Sequence, residues 1–293
     1  MSRIGRLGVI GAGVMGAGLA ENAAAKGLEV VLVDISEEIL KSCKTGIQQS
    51  LRFKGMFNKQ SESKSASPPD EIIEKILFTT DYAEISKVDF LVENATEKIE
   101  IKKEVYRCVG ENLAATTVIA ANTSCFSITR LGSLIPVPER LLGIHFMNPV
   151  PMKKTVEMIR GHWTTEQTIT TAREFLAQLG KQGILVNDSP GFVSNRVLML
   201  TINEAVLVLQ DGVSTAGDVD EIFKSCFGHK MGPLETADLI GLDTILYSIE
   251  VLHESFADSK YRPAPLLKRM VDAGLLGRKS RSEERRVGKE CRS

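Results

Sequence analysis

The stretch RLGVIGAGVMGAGLAENAAAKG, residues 6–27, decides the first part of the fold. It begins with a short apolar run typical of a buried strand and passes through a turn rich in glycine. Small residues then predict a helix that ends near Gly27. The next run, EVVLVD at residues 29–34, predicts a second buried strand. This order of elements predicts a βαβ unit, and therefore parallel strands.

The glycines Gly11, Gly13 and Gly16 form a GxGxxG motif between the first strand and the first helix. The first glycine allows a tight turn, the second lets the backbone approach a pyrophosphate, and the third lets the helix pack closely on the strand. The N-terminus of the helix adds unpaired N–H groups and the positive end of its dipole. Asp34 ends the second strand, where a carboxylate would accept hydrogen bonds from the adenosine ribose and repel a 2′-phosphate. The motif predicts NAD and favours it over NADP; a glycine-rich turn beside a solvated aspartate is the alternative interpretation.

Further strand-like runs alternate with helical patterns up to about residue 186, which predicts a mostly parallel sheet. These runs lie at residues 88–94, 116–122, 141–146, 154–159 and 183–187. The polar stretch at residues 58–70 is expected to be an exposed loop between helices. Beyond VNDSPGF, from residue 190 to about 276, the periodicity is helical. We therefore expect an α/β Rossmann-type domain at 1–187 followed by an all-α domain at 188–280.

The composition is typical of a soluble globular protein. The net charge of −1 offers no general electrostatic attraction to nucleic acid or to a membrane surface. The most apolar long stretch, residues 192–210, carries Asn195, Arg196, Asn203 and Glu204, so we interpret it as a buried helix and not a membrane span. The five cysteines show no CxxC pair and no metal-ligand spacing, which suits a reducing, cytoplasmic location without a metal site. The N-terminus shows no signal-peptide pattern.

His145 lies in the apolar run GIHFMNPVPMKKTVEMI, residues 143–159. Transfer of hydride to a nicotinamide requires an acceptor for the hydroxyl proton, and histidine suits this role because its unperturbed pKa is about 6.5. Glu157 follows beyond the break at NPVP. If the chain turns back at this break, Glu157 returns beside His145 and its carboxylate can hold the other ring nitrogen. A core histidine and an exposed glutamate are the alternative interpretations.

The motifs of this chain resemble those of the short-chain L-3-hydroxyacyl-CoA dehydrogenases, in family order over residues 6–280. The matching motifs are GVIGAGVMGAGLA, VENATE, ANTS, GIHFMNPVP, VNDSPGFVSNR and HKMGPLETADLIGLD. The resemblance implies a Rossmann-type NAD domain and a helical domain that forms a homodimer. It also implies reversible oxidation of the 3-hydroxyl group of an acyl-CoA thioester, with short-chain substrates such as 3-hydroxybutyryl-CoA.

The resemblance further implies roles for individual residues. It makes His145 the catalytic base and Glu157 the carboxylate that orients it. The implied substrate-binding residues are Ser124, Asn148 and Asn195. The implied cofactor-binding residues are Gly11, Gly13, Gly16, Asp34, Glu97, Lys102 and Lys279. A capping role is the alternative for the serine and the two asparagines, and a solvated helical face is the alternative for Glu97 and Lys102.

The sequence departs from the family pattern after GRKS, where members usually continue with glycine and an aromatic GFY ending. Here residues 281–293, RSEERRVGKECRS, are charged and have almost no apolar content. We interpret them as a non-native extension, with a genuine basic tail as the alternative. Lys279 lies just before this change, which puts its role in doubt. Lys54 and Lys59 are available for the coenzyme A phosphates, and neither is assigned.

Three other functions remain open at this point. The first is a related dehydrogenase that acts on an acyl-carrier-protein thioester. The second is a β-hydroxyacid dehydrogenase related to 6-phosphogluconate dehydrogenase, which shares the glycine motif but relies on a catalytic lysine. The third is an NAD-binding protein that has lost turnover, and the intact set of His145, Glu157, Ser124 and Asn195 argues against it.

Overall fold

The structure, a computed structural model, describes residues 3–58, 68–124 and 126–280. They divide into two units, the first ending at Asp188 and the second beginning at Ser189. The first unit contains a sheet with its helices, and the described part of the second is helical. The predicted fold class, an α/β Rossmann-type domain followed by an all-α domain, is confirmed.

Eight strands form one sheet among the described residues of the first unit. In chain order they are β1 Arg6–Ile10, β2 Glu29–Val33, β3 Ile76–Thr79, β4 Phe90–Glu93, β5 Val118–Ala121, β6 Leu141–His145, β7 Thr155–Arg160 and β8 Gln182–Asn187. Their order across the sheet is β3-β2-β1-β4-β5-β6-β7-β8. Strands β6 and β7 pair antiparallel, whereas the other neighbouring pairs run parallel.

The helices of the first unit cover the sheet. They are α1 Val14–Ala25, α2 Glu37–Asn58, α3 Pro69–Glu74, α4 Ile99–Asn112, α5 Ile128–Gly132 and α6 Glu166–Gln178. Every residue of β4 and β5 is buried. Since successive side chains of a strand point to opposite faces, both faces of the central sheet are covered, which is why these strands are continuous apolar runs.

The strands predicted from the sequence agree with the structure to within two residues at each end, the usual uncertainty of such boundaries. Strand β3, residues Ile76–Thr79, was missed. It has four residues, lies at the edge of the sheet and is half-buried, so its sequence lacks the strong apolar run of a central strand. The loop predicted at 58–70 falls mostly on residues 59–67, which lie outside the described residues; α2 ends at Asn58 and α3 begins at Pro69.

The second unit contains the helices α7 Ser194–Gln210, α8 Ala216–Phe227, α9 Pro233–Ile240, α10 Leu242–Phe256 and α11 Pro265–Asp272. Their apolar faces form one core. The buried Asn203 of α7 is satisfied within this unit, because its amide bonds the Arg262 carbonyl oxygen and the Ala264 N–H. Among the described helices, none has both the length and the hydropathy needed to cross a bilayer.

Candidate active site

The turn between β1 and α1 requires glycine at two of its three motif positions. Gly11 has a φ of +92°, and a Cβ there would lie 2.7 Å from the carbonyl oxygen of Asn94. A Cβ on Gly16 would collide with the carbonyl oxygen of Gly11. Gly13 differs, because no described atom lies within 4 Å of the position its Cβ would take. The protein therefore leaves open space in front of Gly13.

This open space fits the pyrophosphate of a dinucleotide. Gly13 is the N-cap of α1 and provides no side-chain hydrogen bond to the first turn, whose backbone N–H groups would bind the phosphates. Asp34, directly after β2, accepts a hydrogen bond from the backbone N–H of Ala12 at 2.7 Å. This bond holds the carboxylate beside the glycine turn, where the adenosine ribose of NAD would lie. The residues present thus fit NAD.

His145 and Glu157 lie opposite each other on the antiparallel strands β6 and β7. The Nδ1 atom of His145 is 3.0 Å from Oε2 of Glu157, and the two residues are only 6% and 8% exposed. The chain reversal predicted at NPVP is therefore confirmed. Because Glu157 is an acceptor, Nδ1 carries the proton and donates it, which leaves Nε2 as the acceptor of the neutral ring.

A buried lysine holds the turn that makes this reversal. Lys181, directly before β8, donates hydrogen bonds to the carbonyl oxygens of Val150 and Lys153. Burial lowers the pKa of the Lys181 ammonium. On the other side, Gly18 of α1 lies against Val150, where a Cβ would come within 3.3 Å of the valine Cβ. The connection between β6 and β7 is thus clamped from two sides.

Ser124 completes a line of polar groups with the histidine and the glutamate. Its Oγ lies 3.1 Å from Nε2 of His145, and the acceptor character of Nε2 makes the serine hydroxyl the donor. The backbone N–H of Ser124 donates to Oε1 of Glu97 at 2.8 Å, and the Thr123 hydroxyl donates to Oε2 of the same carboxylate at 2.9 Å. Glu97 therefore fixes the turn that carries Ser124.

Comparisons with known proteins match both units of the chain to one family. Residues 6–189 match the family described as "3-hydroxyacyl-CoA dehydrogenase, NAD binding domain", and residues 191–284 match "3-hydroxyacyl-CoA dehydrogenase, C-terminal domain". The chain belongs to the 3-hydroxyacyl-CoA dehydrogenase family. The resemblance stated from its motifs, the NAD cofactor and the dehydrogenase activity are confirmed.

Several relatives of this dehydrogenase match over nearly their whole length. A probable 3-hydroxybutyryl-CoA dehydrogenase of Deinococcus radiodurans is 43% identical over 94% of this chain and 97% of its own. The human mitochondrial hydroxyacyl-coenzyme A dehydrogenase is 37% identical over 93% of this chain and 88% of its own. The crystal structure of (S)-3-hydroxybutyryl-CoA dehydrogenase PaaH1 from Ralstonia eutropha has a TM-score of 0.89 at 39% identity, covering 97% of this chain and 98% of that one.

Lys102, expected beside the cofactor, is completely buried in this dehydrogenase. Its Nζ lies 2.9 and 3.0 Å from the two carboxylate oxygens of Glu93, and neither side chain is exposed. Burial raises the pKa of the Glu93 carboxyl, and the facing ammonium opposes this shift. Direct contact of Lys102 with the cofactor stays a prediction, as does that of Glu97.

Two asparagines of the dehydrogenase site were missed by the sequence analysis. Asn122 donates from Nδ2 to Oδ1 of Asn94 at 2.7 Å, and its own Oδ1 accepts the backbone N–H of Phe146 at 3.1 Å. They join the ends of three adjacent strands, which carry the site. The signal was present in VEN and AAN, where an asparagine directly follows a buried strand twice.

The remaining predicted site residues are placed as follows. Asn148 is exposed in the turn after β6, and Asn195 is half-buried in the first turn of α7. Lys279, in the second unit, donates to Asp243 Oδ1 at 3.0 Å and to Thr244 Oγ1 at 2.6 Å. Lys279 is therefore anchored by α10 despite the altered sequence that follows it. The substrate and cofactor contacts of these three residues stay predictions.

Two further expectations from the sequence concern lysines for the coenzyme A phosphates and the lack of a metal site. Lys54 forms an ion pair with Glu21, a buried residue of α1, so its ammonium is engaged within the NAD-binding unit. Lys59 and residues 281–293 lie outside the described residues. Within the described ranges, no three His, Cys, Asp or Glu side chains gather as a metal site would require.

Proposed function

We propose that this dehydrogenase interconverts short-chain (S)-3-hydroxyacyl-CoA and 3-oxoacyl-CoA, with His145 as the acid–base group and Glu157 as its partner. One observation carries the proposal: Ser124, His145 and Glu157 form a continuous line, with 3.1 Å from Oγ to Nε2 and 3.0 Å from Nδ1 to Oε2. A base needs one ring nitrogen held and the other accessible to the reacting hydroxyl. Glu157 holds Nδ1, and in the proposed complex the substrate hydroxyl replaces Ser124 as the donor to Nε2.

In the proposed reaction, bound NAD supplies the hydride acceptor. Nε2 of His145 takes the proton of the 3-hydroxyl group, and the ring becomes positively charged in a buried position. Glu157 offsets this charge and keeps the ring oriented. When the substrate hydroxyl becomes the donor to Nε2, the Ser124 hydroxyl turns away from Nε2 and donates its one hydrogen bond to the same substrate oxygen. In the reverse direction the imidazolium acts as the acid.

The other site assignments rest on the family motifs. We assign substrate contacts to Ser124, Asn148 and Asn195, and cofactor contacts to Gly11, Gly13, Gly16, Asp34, Glu97, Lys102 and Lys279. The open space at Gly13 and the anchored Asp34 support the cofactor assignments most directly. The short-chain preference is supported by relatives that are named 3-hydroxybutyryl-CoA dehydrogenases.

We also propose a cytoplasmic homodimer. Cys43, Cys108 and Cys226 are free thiols, which suits a reducing compartment. The helical unit exposes large apolar side chains, among them Val213 at 74% and Phe227 at 66%, and exposed apolar surface is a common mark of association. Light scattering on the purified chain tests the dimer; a mass of one chain at assay concentration would contradict it.

The decisive assay is acetoacetyl-CoA-dependent loss of NADH absorbance. We expect turnover with acetoacetyl-CoA, a decline with longer 3-oxoacyl-CoA thioesters, and loss of turnover in His145→Gln. Faster reaction with the same acyl group on an acyl carrier protein would favour the carrier-protein alternative. No turnover with either thioester would favour a silent NAD-binding protein, and wild-type turnover in His145→Gln would remove the histidine from the mechanism.

A further inference from the structure

Glu93 is a completely buried carboxylate that the proposed chemistry does not use. It ends β4 and accepts hydrogen bonds from Lys102 Nζ on both oxygens, from the Tyr106 hydroxyl at 3.0 Å and from the Ala95 N–H at 2.6 Å. We call Glu93, Lys102 and Tyr106 the Glu93 cluster. Burying an ion pair is costly and often adds no net stability, so the precise geometry of this cluster points to a role in conformation.

The Glu93 cluster holds the turn between β4 and α4. Both backbone groups of Ala95 are bound: its N–H donates to Glu93, and its carbonyl oxygen accepts from Lys102 Nζ at 3.4 Å. Glu97 lies two residues further along the same turn, just before α4 begins. A fixed peptide at Ala95 therefore limits where the Glu97 carboxylate can be.

The position of the Glu97 carboxylate in turn affects the next turn of the sheet, between β5 and α5. Glu97 binds the Thr123 hydroxyl and the Ser124 N–H, and Ser124 Oγ reaches Nε2 of His145. Lys102 approaches this second turn directly as well, because its Nζ lies 5.9 Å from the ring centroid of Phe126. A continuous chain of contacts thus runs from the Glu93 cluster to the histidine.

We propose that Glu93 and Lys102 are positioning residues, which fix the β4–α4 turn so that Glu97 aims Ser124 at Nε2 of His145. The inference rests on the proposed roles of Ser124 and His145. This positioning role is additional to the cofactor contact that the family motifs assign to Lys102.

The first test is Lys102→Met, with Lys103→Met as the matched control. Lys103 lies on the same helix but forms an exposed ion pair with Glu100. Since small misplacements of catalytic groups are expensive, we expect K102M to lower kcat at saturating NADH and acetoacetyl-CoA by about 10- to 100-fold. Because kcat is measured at saturating NADH, it does not depend on any change in the NADH Kd, which is measured separately by fluorescence. We expect K103M to keep kcat within about twofold. A weakened NADH affinity with unchanged kcat would show a cofactor contact and overturn the inference.

The second test is a double-mutant cycle with Ser124→Ala. If Lys102 acts through Ser124, K102M in the S124A background should lower kcat by less than about threefold, because the group it positions is already absent. Effects that multiply would overturn the inference. Wild-type kcat in S124A alone would instead refute the proposed role of Ser124, so the two failures are distinguishable.

A gentler variant covers the case in which K102M does not fold, since that change leaves the Glu93 carboxylate without its ion-pair partner. Tyr106→Phe removes one hydrogen bond from Glu93 and keeps the ion pair. We expect a smaller loss of kcat than in K102M, of about 3- to 10-fold, which again disappears in the S124A background. An equal loss in both backgrounds, or no loss in either, would overturn the inference.

Discussion

Replacing Glu157 by glutamine removes the charge opposite His145 and keeps an oxygen that can accept the Nδ1–H. At 3.0 Å and an effective dielectric constant of about 20, a carboxylate and an imidazolium attract each other by about 5.5 kcal/mol. The two side chains are 7% and 11% exposed, so solvent screens this attraction only partly. Each 1.36 kcal/mol corresponds to about tenfold in rate, so losing the whole attraction would lower kcat by at most about 10⁴-fold. We therefore expect kcat of E157Q to fall about 10²- to 10⁴-fold.

The assay is steady-state oxidation of NADH by acetoacetyl-CoA, combined with NADH binding followed by fluorescence. Because Glu157 faces the histidine, we expect the NADH Kd of E157Q to change by less than about threefold. Glu166→Gln is the matched control, since Glu166 pairs with Arg160 but its side chain is 78% exposed. Unchanged turnover in E157Q, or an equal loss in E166Q, would refute the acid–base pair.

Three further predictions concern the cofactor turn and the clamp on the β6–β7 connection. Gly13→Ala should keep the melting temperature and weaken NADH binding by about tenfold or more, because its Cβ enters the open space. Gly16→Ala should lower the melting temperature, because its Cβ meets the Gly11 carbonyl. Thermal melts and NADH titration distinguish the two effects. Asp34→Ala should raise the NADPH-to-NADH ratio of kcat/KM by about tenfold or more, and an unchanged ratio would contradict the role of this carboxylate. Lys181→Met leaves two carbonyl oxygens without their donor, so we expect a loss of about 2–4 kcal/mol in unfolding free energy by denaturant titration, and no loss would contradict the clamp.

The acid–base pair shows how far sequence reasoning reached. The break at NPVP indicated that the chain turns back, and the alternation in the following strand gave Glu157 a face of its own. The structure adds the register, in which His145 and Glu157 are direct partners, and the lysine that clamps the turn. Register depends on pairing along the whole strand and on the packing of its faces, so a short local pattern does not contain it.

The sequence by itself determined the features that depend on neighbouring residues. These are the glycine turn within residues 6–16, the position of Asp34 and the change from alternating to helical periodicity. Steric demands on a backbone turn and the period of apolar residues act between neighbours in sequence. The burial of Lys102 against Glu93 and the Asn94–Asn122 bridge were decided by the tertiary structure alone. A charged side chain on a helix has the same sequence pattern whether it faces water or a buried carboxylate. The pairing of β4 with β5 brings Asn94 and Asn122 together, whereas Lys102 reaches Glu93 because α4 packs with this side chain buried against the end of β4.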